Sequence, residues 1–133
     1  MQVSGLDHVN ILTDDLETTA SFYEQVLGFR RGRNPSVAMG IAGYWMHDAA
    51  DQPIVHLVDR LTGGSRYDAY HPGSPTNALH HVALRCKGFA ETRERLDGLG
   101  LEYRVNDLQH IGLKQIFLVD PNAVNLELNF NGE

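Results

Sequence analysis

The sequence predicts an α+β fold made of two βαβββ modules. Two observations support this prediction: the second half of the chain repeats the first, and each half shows the same order of strand-like and helix-like segments. Self-similarity at a fixed offset indicates that one structural unit occurs more than once. We therefore expect a single domain over residues 1–133, built from modules 5–59 and 78–130.

The repeat is detected in four ordered segments. Their offset falls from 73 to 71 residues along the chain, as expected if the two copies differ by single loop residues. The matched pairs are Leu6–Leu12 with Leu79–Arg85, Leu27–Phe29 with Leu99–Leu101, Tyr44–Asp48 with Ile116–Asp120, and Ile54–Leu57 with Asn125–Leu128. One match alone would carry no weight, whereas four matches in the same order indicate duplication.

The first copy predicts a strand, a helix and three further strands. Residues 6–12 alternate between apolar and polar side chains, which is typical of a half-buried strand. Thr13–Asp15 provides a helix N-cap, and apolar residues then recur at helical spacing until Gly28. Three short β-like runs follow, at Phe29–Arg33, Val37–Met46 and Ile54–Asp59.

The second copy repeats this order after a connection of about 20 residues that begins at Arg60 and is broken by glycine and proline. Connections of that length are usually functional or mobile. Phe89, Leu96 and Leu99 repeat the helix face, and Gly100 closes it. The β-like runs of this copy are Glu102–Val105, Leu113–Val119 and Val124–Phe130.

The repeat also aligns residues that can bind metal. His8 matches His81, early in the first strand of each module, and His56 matches Glu127 in the last strand. Alternate residues of a strand share a face, so these side chains point away from the apolar neighbours that must face the core. A pseudo-twofold axis between the modules would bring all four side chains to one point.

Three imidazoles and a carboxylate are a suitable ligand set for a divalent transition metal. Taken singly, a strand histidine more often packs and hydrogen-bonds than binds metal, and Glu127 alone would ordinarily be a solvated charge. The pairing favours metal, because independent structural histidines have no reason to occupy equivalent positions in a repeat. His80 points to the face opposite His81, and we expect it to be structural.

Composition excludes several classes of function. The chain carries 11 basic and 17 acidic residues, and this net charge of −6 argues against binding to nucleic acid or an anionic membrane. No apolar run approaches the roughly 18 residues of a membrane span. The one cysteine, Cys86, cannot form an internal disulfide, so nothing favours an oxidising compartment and we expect a cytoplasmic protein.

Several short motifs carry a resemblance to a known family. In order they are Asp7–Val9, Asp15–Leu16, Phe22–Tyr23, Leu27–Phe29, His80–Leu84, Asp120–Pro121 and Glu127–Leu128. Their order and spacing over residues 5–130 resemble the vicinal oxygen chelate superfamily, the group of glyoxalases, bleomycin-resistance proteins and extradiol dioxygenases. The resemblance implies a half-barrel sheet around a metal, with His8, His81 and Glu127 as ligands and His56 as a fourth ligand or a base. It also implies a homodimer, with sites built within one chain or across two.

The resemblance further implies a metal-dependent lyase or isomerase that acts on a small molecule chelating the metal through vicinal oxygens. His56 and Glu127 are the candidate catalytic residues, and the cofactor is a divalent ion such as zinc, nickel, iron or manganese. Two alternatives stay open. One is an extradiol-type ring-cleaving dioxygenase with iron(II), in which His56 is an uncoordinated acid and base. The other is a metal-free, bleomycin-type drug-binding protein.

Two positions depart from the family pattern. The turn before the last strand usually reads Asp-Pro-x-Gly-Asn, and here Ala123 occupies the glycine position. Alanine tolerates a positive φ poorly, so we expect the turn to differ or Asn122 to adopt that conformation. His56 stands where glyoxalase-like members often have a carboxylate, which argues against a strict lactoylglutathione lyase.

Overall fold

The computed structural model describes the backbone of residues 1–133 and every side chain except that of Pro35. It divides into two compact units, Met1–Pro72 and Gly73–Glu133. The first unit contains β1 Val9–Thr13, α1 Leu16–Leu27, β2 Arg30–Gly32, β3 Gly43–His47 and β4 Pro53–Asp59, with 3-10 helices at Pro35–Met39 and Arg60–Tyr67. The second contains β5 Val82–Cys86, α2 Phe89–Gly98, β6 Arg104–Leu108, β7 Leu113–Val119 and β8 Asn125–Asn131, with a 3-10 turn at Gln109–Ile111.

Each unit has a four-stranded mixed sheet, and the two sheets have the same topology. The strand order is β1-β4-β3-β2 in the first unit and β5-β8-β7-β6 in the second. In both units the first strand pairs in parallel with the last, while all other neighbours are antiparallel. The identical connectivity confirms the predicted duplication of a βαβββ module.

Helix α1 begins and ends at the residues that the sequence indicates. The Asp15 carboxylate accepts a hydrogen bond from the backbone N–H of Thr18 at 3.0 Å, which satisfies a free donor of the first turn. Gly28 ends the helix with φ of 69°, a conformation that glycine adopts without strain. The apolar face buries Ala20, Tyr23 and Val26.

No helix in the described part of the chain is long and apolar enough to cross a membrane.

The burial of β8 confirms the predicted faces of that strand, whereas β4 departs from simple alternation. In β8 the buried residues are Leu126, Leu128 and Phe130, and Glu127 lies on the other face. In β4 four consecutive residues are buried, among them His56, which is only 9% exposed. His56 therefore sits in a covered position and not on an open face of its sheet.

Several predicted boundaries shift. The run at Val37–Met46 is not one strand, because a 3-10 helix occupies Pro35–Met39 and β3 begins only at Gly43. The Asn34 side chain caps that 3-10 helix by accepting from the N–H of Ser36 at 3.0 Å. The connection beginning at Arg60 also contains local structure, since 3-10 turns interrupted by a kink at Gly64 span Arg60–Tyr67.

The turn between β7 and β8 corrects the expectation stated for Asn122. Ala123 itself adopts the left-handed conformation, with φ of 66°. The buried Asp120 carboxylate accepts hydrogen bonds from the backbone N–H groups of Asn122 and Val124, at 2.8 and 2.9 Å. These bonds fix the shape of the turn, so the alanine takes the conformation that a glycine would normally supply.

Candidate metal centre

The structure brings His8 and His56 together in the first unit. Their ring centroids lie 6.3 Å apart. Trp45 lies beside both, stacked on His56 at 4.5 Å and edge-on to His8 at 4.7 Å. The strand register explains this cluster, because His56 pairs with Asn10 of β1 on one side and with Trp45 of β3 on the other. Residues that are paired across strands project from the same face of a sheet.

Hydrogen bonds to Asn34 fix which nitrogen of His56 carries a proton. The Asn34 Nδ2 donates to the carbonyl of Ile41 at 2.9 Å, and its Oδ1 accepts from the N–H of Ser36. The amide oxygen therefore faces His56, whose Nε2 donates to it at 3.1 Å. The lone pair of Nδ1 is left for other partners, and Asn10 Nδ2 lies 3.1 Å from it. This assignment follows from the hydrogen-bond network.

The same surroundings keep His56 uncharged. Burial lowers the pKa of His56 below its ordinary value, and the nearby His8 lowers that pKa further. A neutral imidazole is the form that binds metal or accepts a proton. In His56 the nitrogen that can bind a metal or accept a proton is Nδ1.

A carboxylate also orients His8. The Nδ1 of His8 lies 2.6 Å from the Asp7 carboxylate, which leaves Nε2 as the free nitrogen. Metal-binding histidines commonly donate their second ring N–H to a carboxylate or carbonyl, which fixes the tautomer. The structure places His8 immediately before β1, so the prediction that it lies inside the strand is corrected by one residue.

In the second unit, His81 and Glu127 lie side by side. The Nε2 of His81 is 3.5 Å from the Glu127 Oε2. The other oxygen, Oε1, accepts hydrogen bonds from Gln115 at 3.0 Å and from Asn129 at 2.8 Å. Gln115 also donates to the Asn129 Oδ1 at 2.9 Å, so the three side chains form a connected group. One carboxylate oxygen is held while the other faces the imidazole.

Gln115 and Asn129 were not identified as functional residues from the sequence. Asn129 shares the Glu127 face by strand alternation, and Gln115 is its partner across β7 and β8. Alternation along β8 was the signal available for Asn129, whereas Gln115 would have required the strand register, which a single sequence does not define.

His80 is not a packed structural residue, contrary to expectation. It is exposed, and its Nδ1 lies 3.0 Å from the Nδ1 of His81. Its backbone carbonyl accepts a hydrogen bond from Asn125 at 2.9 Å. His80 therefore contacts the Nδ1 of His81, a candidate metal ligand, and the Nε2 of His81 remains directed toward Glu127.

The donor chemistry of both pairs fits a divalent metal. Ligand atoms that share one ion at bonds of about 2 Å are themselves roughly 3–4 Å apart, which matches the separation between His81 and Glu127. In the first unit, His8 has one ring nitrogen hydrogen-bonded, which leaves its Nε2 as a candidate donor. Both ring nitrogens of His56 have hydrogen-bond partners, so its Nδ1 would bind an ion only in place of the contact with Asn10. Among the described side chains, no three histidine, cysteine, aspartate or glutamate residues are grouped to hold an ion. The meeting of all four residues at one point remains a prediction.

Comparison with known proteins gives the family. The model of the Glyoxalase/Bleomycin resistance protein/Dioxygenase superfamily matches residues 5–128. A curated relative, Glyoxylase I 4 of Arabidopsis thaliana, is 22% identical, and the alignment covers 96% of this chain and 71% of the relative.

Solved structures share the fold at low sequence identity. A crystal structure of a mutant of the fosfomycin resistance protein FosX from Listeria monocytogenes, complexed with Mn(II) and 1S,2S-dihydroxypropylphosphonic acid, has a TM-score of 0.72 at 17% identity. It is matched over 98% of this chain and 94% of its own. A putative glyoxalase family protein from Bacillus anthracis has the same TM-score at 16% identity, over 98% of both chains.

Proposed function

Because this chain belongs to the Glyoxalase/Bleomycin resistance protein/Dioxygenase superfamily, we propose that it is a metal-dependent enzyme acting on a small molecule with two adjacent oxygen donors. In this proposal His8, His81 and Glu127 hold a divalent ion, and His56 is a fourth ligand or the base. The reaction class is that of a glyoxalase-like lyase or isomerase. The bound metal supplies positive charge that stabilises an oxyanion developing on the substrate.

The hydrogen bonding of Glu127 carries this proposal. The carboxylate of an exposed glutamate is hydrogen-bonded by water. In Glu127, by contrast, the side-chain amides of Gln115 and Asn129 both donate to Oε1. The Glu127 side chain is only 15% exposed, and it has no ion pair with lysine or arginine among the described residues. A largely buried carboxylate with no lysine or arginine partner costs free energy unless something else neutralises it. A metal ion shared with His81 would provide that neutralisation.

The role of His56 follows from its surroundings. The neutral ring can accept a proton at Nδ1. The hydrogen bond from Nε2 to Asn34 holds the tautomer in which Nδ1 carries a lone pair and no proton. Stacking against Trp45 restricts rotation of the ring. Asn10 lies 3.1 Å from Nδ1, so a substrate or metal would take the place of that contact.

A second candidate function is supported by the same contacts. Both nitrogens of His56 are hydrogen-bonded, as expected for an uncoordinated acid and base beside a site of two histidines and one glutamate. That ligand set is the one found in non-haem iron(II) oxygenases. An extradiol-type ring-cleaving dioxygenase is therefore the alternative.

The metal and the assembly are part of the proposal. The Mn(II) bound to FosX supports manganese as the first ion to test, together with zinc, nickel and iron(II). The site needs the pair in Met1–Pro72 and the pair in Gly73–Glu133 to meet, within one chain or between two chains of a homodimer.

Metal reconstitution tests the proposal and separates the two candidates. Metal-free protein is loaded in turn with manganese, zinc, nickel or iron(II), the last without oxygen. Each form is assayed for isomerisation of hemithioacetals of several small thiols and for oxygen uptake with a catechol. Isomerisation restored by manganese, zinc or nickel supports the first candidate, and oxygen uptake restored by iron(II) alone supports the second. If no ion binds tightly enough to survive gel filtration, the proposal is wrong.

A further inference from the structure

We propose that an open groove beside Glu127, in the second unit, binds an anionic group of the substrate through Arg85. The groove has a volume of about 330 Å³. Its lining residues are Ala83, Leu84, Arg85, Leu113, Asn129 and Asn131. This inference rests on the proposed function for the position of the reacting end of the substrate.

The strand register places Arg85 on the same face as Glu127. Arg85 of β5 pairs with Asn129 of β8, and Asn129 follows Glu127 by two residues on its strand. Two residues along a strand span about 7 Å. Asn129 also donates to the Glu127 Oε1 at 2.8 Å, so the candidate metal ligand and the groove share a side chain.

The charge of the groove favours an anion. Arg85 is exposed, and within the described part of the chain it has no carboxylate at ion-pair distance. Arg31 and Arg60 are different, because Glu17 and Glu24 pair with Arg31, and Asp14 pairs with Arg60. In a chain with a net charge of −6, an arginine in a groove with no acidic partner is available for a ligand.

Among the other charges near β7 and β8, Arg104 and Glu127 share this face of the sheet but do not line the groove, whereas Lys114 and Glu133 point elsewhere. The Lys114 ammonium sits 5.0 Å from the centre of the Phe89 ring, on the helix side of the sheet. The Glu133 carboxylate accepts hydrogen bonds from the backbone N–H groups of Gly88 and Phe89 at the start of α2. On the groove face, Asn129 and Asn131 offer neutral amide groups. The lining therefore combines one guanidinium with amides and contains no carboxylate.

These contacts define the class of substrate. A guanidinium binds carboxylate and phosphate groups with two parallel hydrogen bonds. The substrate would carry its pair of adjacent oxygens at the metal and a carboxylate, phosphate or phosphonate group toward Arg85, whose backbone lies two residues along and one strand across from Glu127. Arg85 would then be a residue that determines specificity, and it would make no contact with the reacting atoms.

The test uses metal-free protein and inorganic phosphate as the probe, so that it does not depend on the metal. Phosphate is titrated at constant ionic strength while the backbone amide resonances are followed by NMR. We expect saturable shifts concentrated at residues 83–85, 113, 129 and 131. We expect Arg85→Gln to weaken binding at least about 10-fold, and Arg85→Lys to weaken it less because a lysine keeps the charge but loses the bidentate geometry.

Arg95→Gln is the matched control, since it removes the same charge from the exposed side of α2. It should leave phosphate binding within about twofold of the parent. The amide spectrum of Arg85→Gln shows whether the variant is folded. Equal phosphate affinity in the parent and a folded Arg85→Gln, or shifts located elsewhere, would overturn the proposal.

A second measurement separates this inference from the proposed function. Manganese affinity, measured from the EPR signal of free Mn(II), should be the same within about twofold in Arg85→Gln and in the parent. If the parent binds no manganese but still binds phosphate through Arg85, the proposed function fails and the anion site stands. If manganese binds and phosphate does not, the anion site fails alone. Loss of manganese in a folded Arg85→Gln would contradict the separate role given to Arg85.

Discussion

Replacing Ala123 with glycine should stabilise the protein. Ala123 has φ of 66°, in the left-handed region that costs an L-residue about 1–2 kcal/mol. Glycine avoids that cost but loses about 0.5–1 kcal/mol more conformational entropy on folding. The net gain in the free energy of unfolding is therefore about 0.5–1 kcal/mol.

This gain corresponds to a measurable shift in melting temperature. Unfolding releases about 2.1 cal/mol/K of entropy per residue, or about 280 cal/mol/K for a chain of 133 residues that unfolds cooperatively. Ala123→Gly should then raise the Tm by about 2–4 °C in calorimetry. The control is Ala90→Gly in α2, an exposed helical alanine, where the same change should lower the Tm because glycine is a poor helix former.

Refutation would come from a decrease in Tm for Ala123→Gly. That result would mean that the turn does not place residue 123 in the left-handed region, and that the hydrogen bonds donated to the Asp120 carboxylate do not fix its shape. This turn leads directly into β8, so its shape also affects the position of the Glu127 side chain on that strand.

Three further predictions concern the contacts around the site and one helix cap. Gln115→Met removes one amide from the Glu127 Oε1, and we expect manganese affinity to fall about 10–100-fold in competition titrations. Asn34→Ala frees the His56 Nε2, so ¹⁵N NMR of the imidazole should change from one protonated ring nitrogen to a mixture of both tautomers. Hydrogen bonds from backbone N–H groups lower the pKa of Glu133 in the folded protein. The ionised carboxylate therefore stabilises the folded state at pH values above the pKa of an ordinary glutamate, and this stabilisation is lost as the pH falls through the lowered pKa. Glu133→Gln should therefore lower the Tm at pH 7, and its difference from the parent should disappear in acid.

Each of these has a control or a contradicting outcome. Glu94→Gln removes an exposed carboxylate from α2 and should leave the Tm and its pH profile nearly unchanged. A single protonated nitrogen in both Asn34→Ala and the parent would show that Asn34 does not set the tautomer. Unchanged manganese affinity in Gln115→Met would remove the argument from the hydrogen bonds of Glu127.

The topology could be predicted from the sequence because duplication leaves two independent copies of one pattern. His8 and His81 mark the start of each module, and His56 and Glu127 mark its last strand. The structure keeps these residues in equivalent places, since β1 pairs with β4 as β5 pairs with β8. Alternation alone then gives the face of Glu127, because Leu126 and Leu128 must be buried.

The contacts that define the site could not be predicted, because they join residues far apart in the chain. Asn34 reaches His56 across 22 positions, and nothing in the spacing of the two residues indicates it. The 3-10 helix that Asn34 caps begins at Pro35 and extends into the run at Val37–Met46, whose composition is strand-like. Gln115 meets Glu127 through strand register, and register depends on pairing that one sequence does not specify. Asn129 is different, because it lies two residues along the same strand and alternation places it on the Glu127 face.

The central claim is that His8, His81 and Glu127 bind one divalent ion, and elemental analysis tests it most directly. The protein is purified without a nickel column and compared with His81→Ala and with His110→Ala, a control at an exposed histidine outside the site. The proposal predicts one metal ion per chain in the parent and in His110→Ala, and less than about one tenth of that in a folded His81→Ala. Full metal content in His81→Ala would contradict the claim, and so would a parent that binds no metal even after incubation with manganese, zinc, nickel or iron(II).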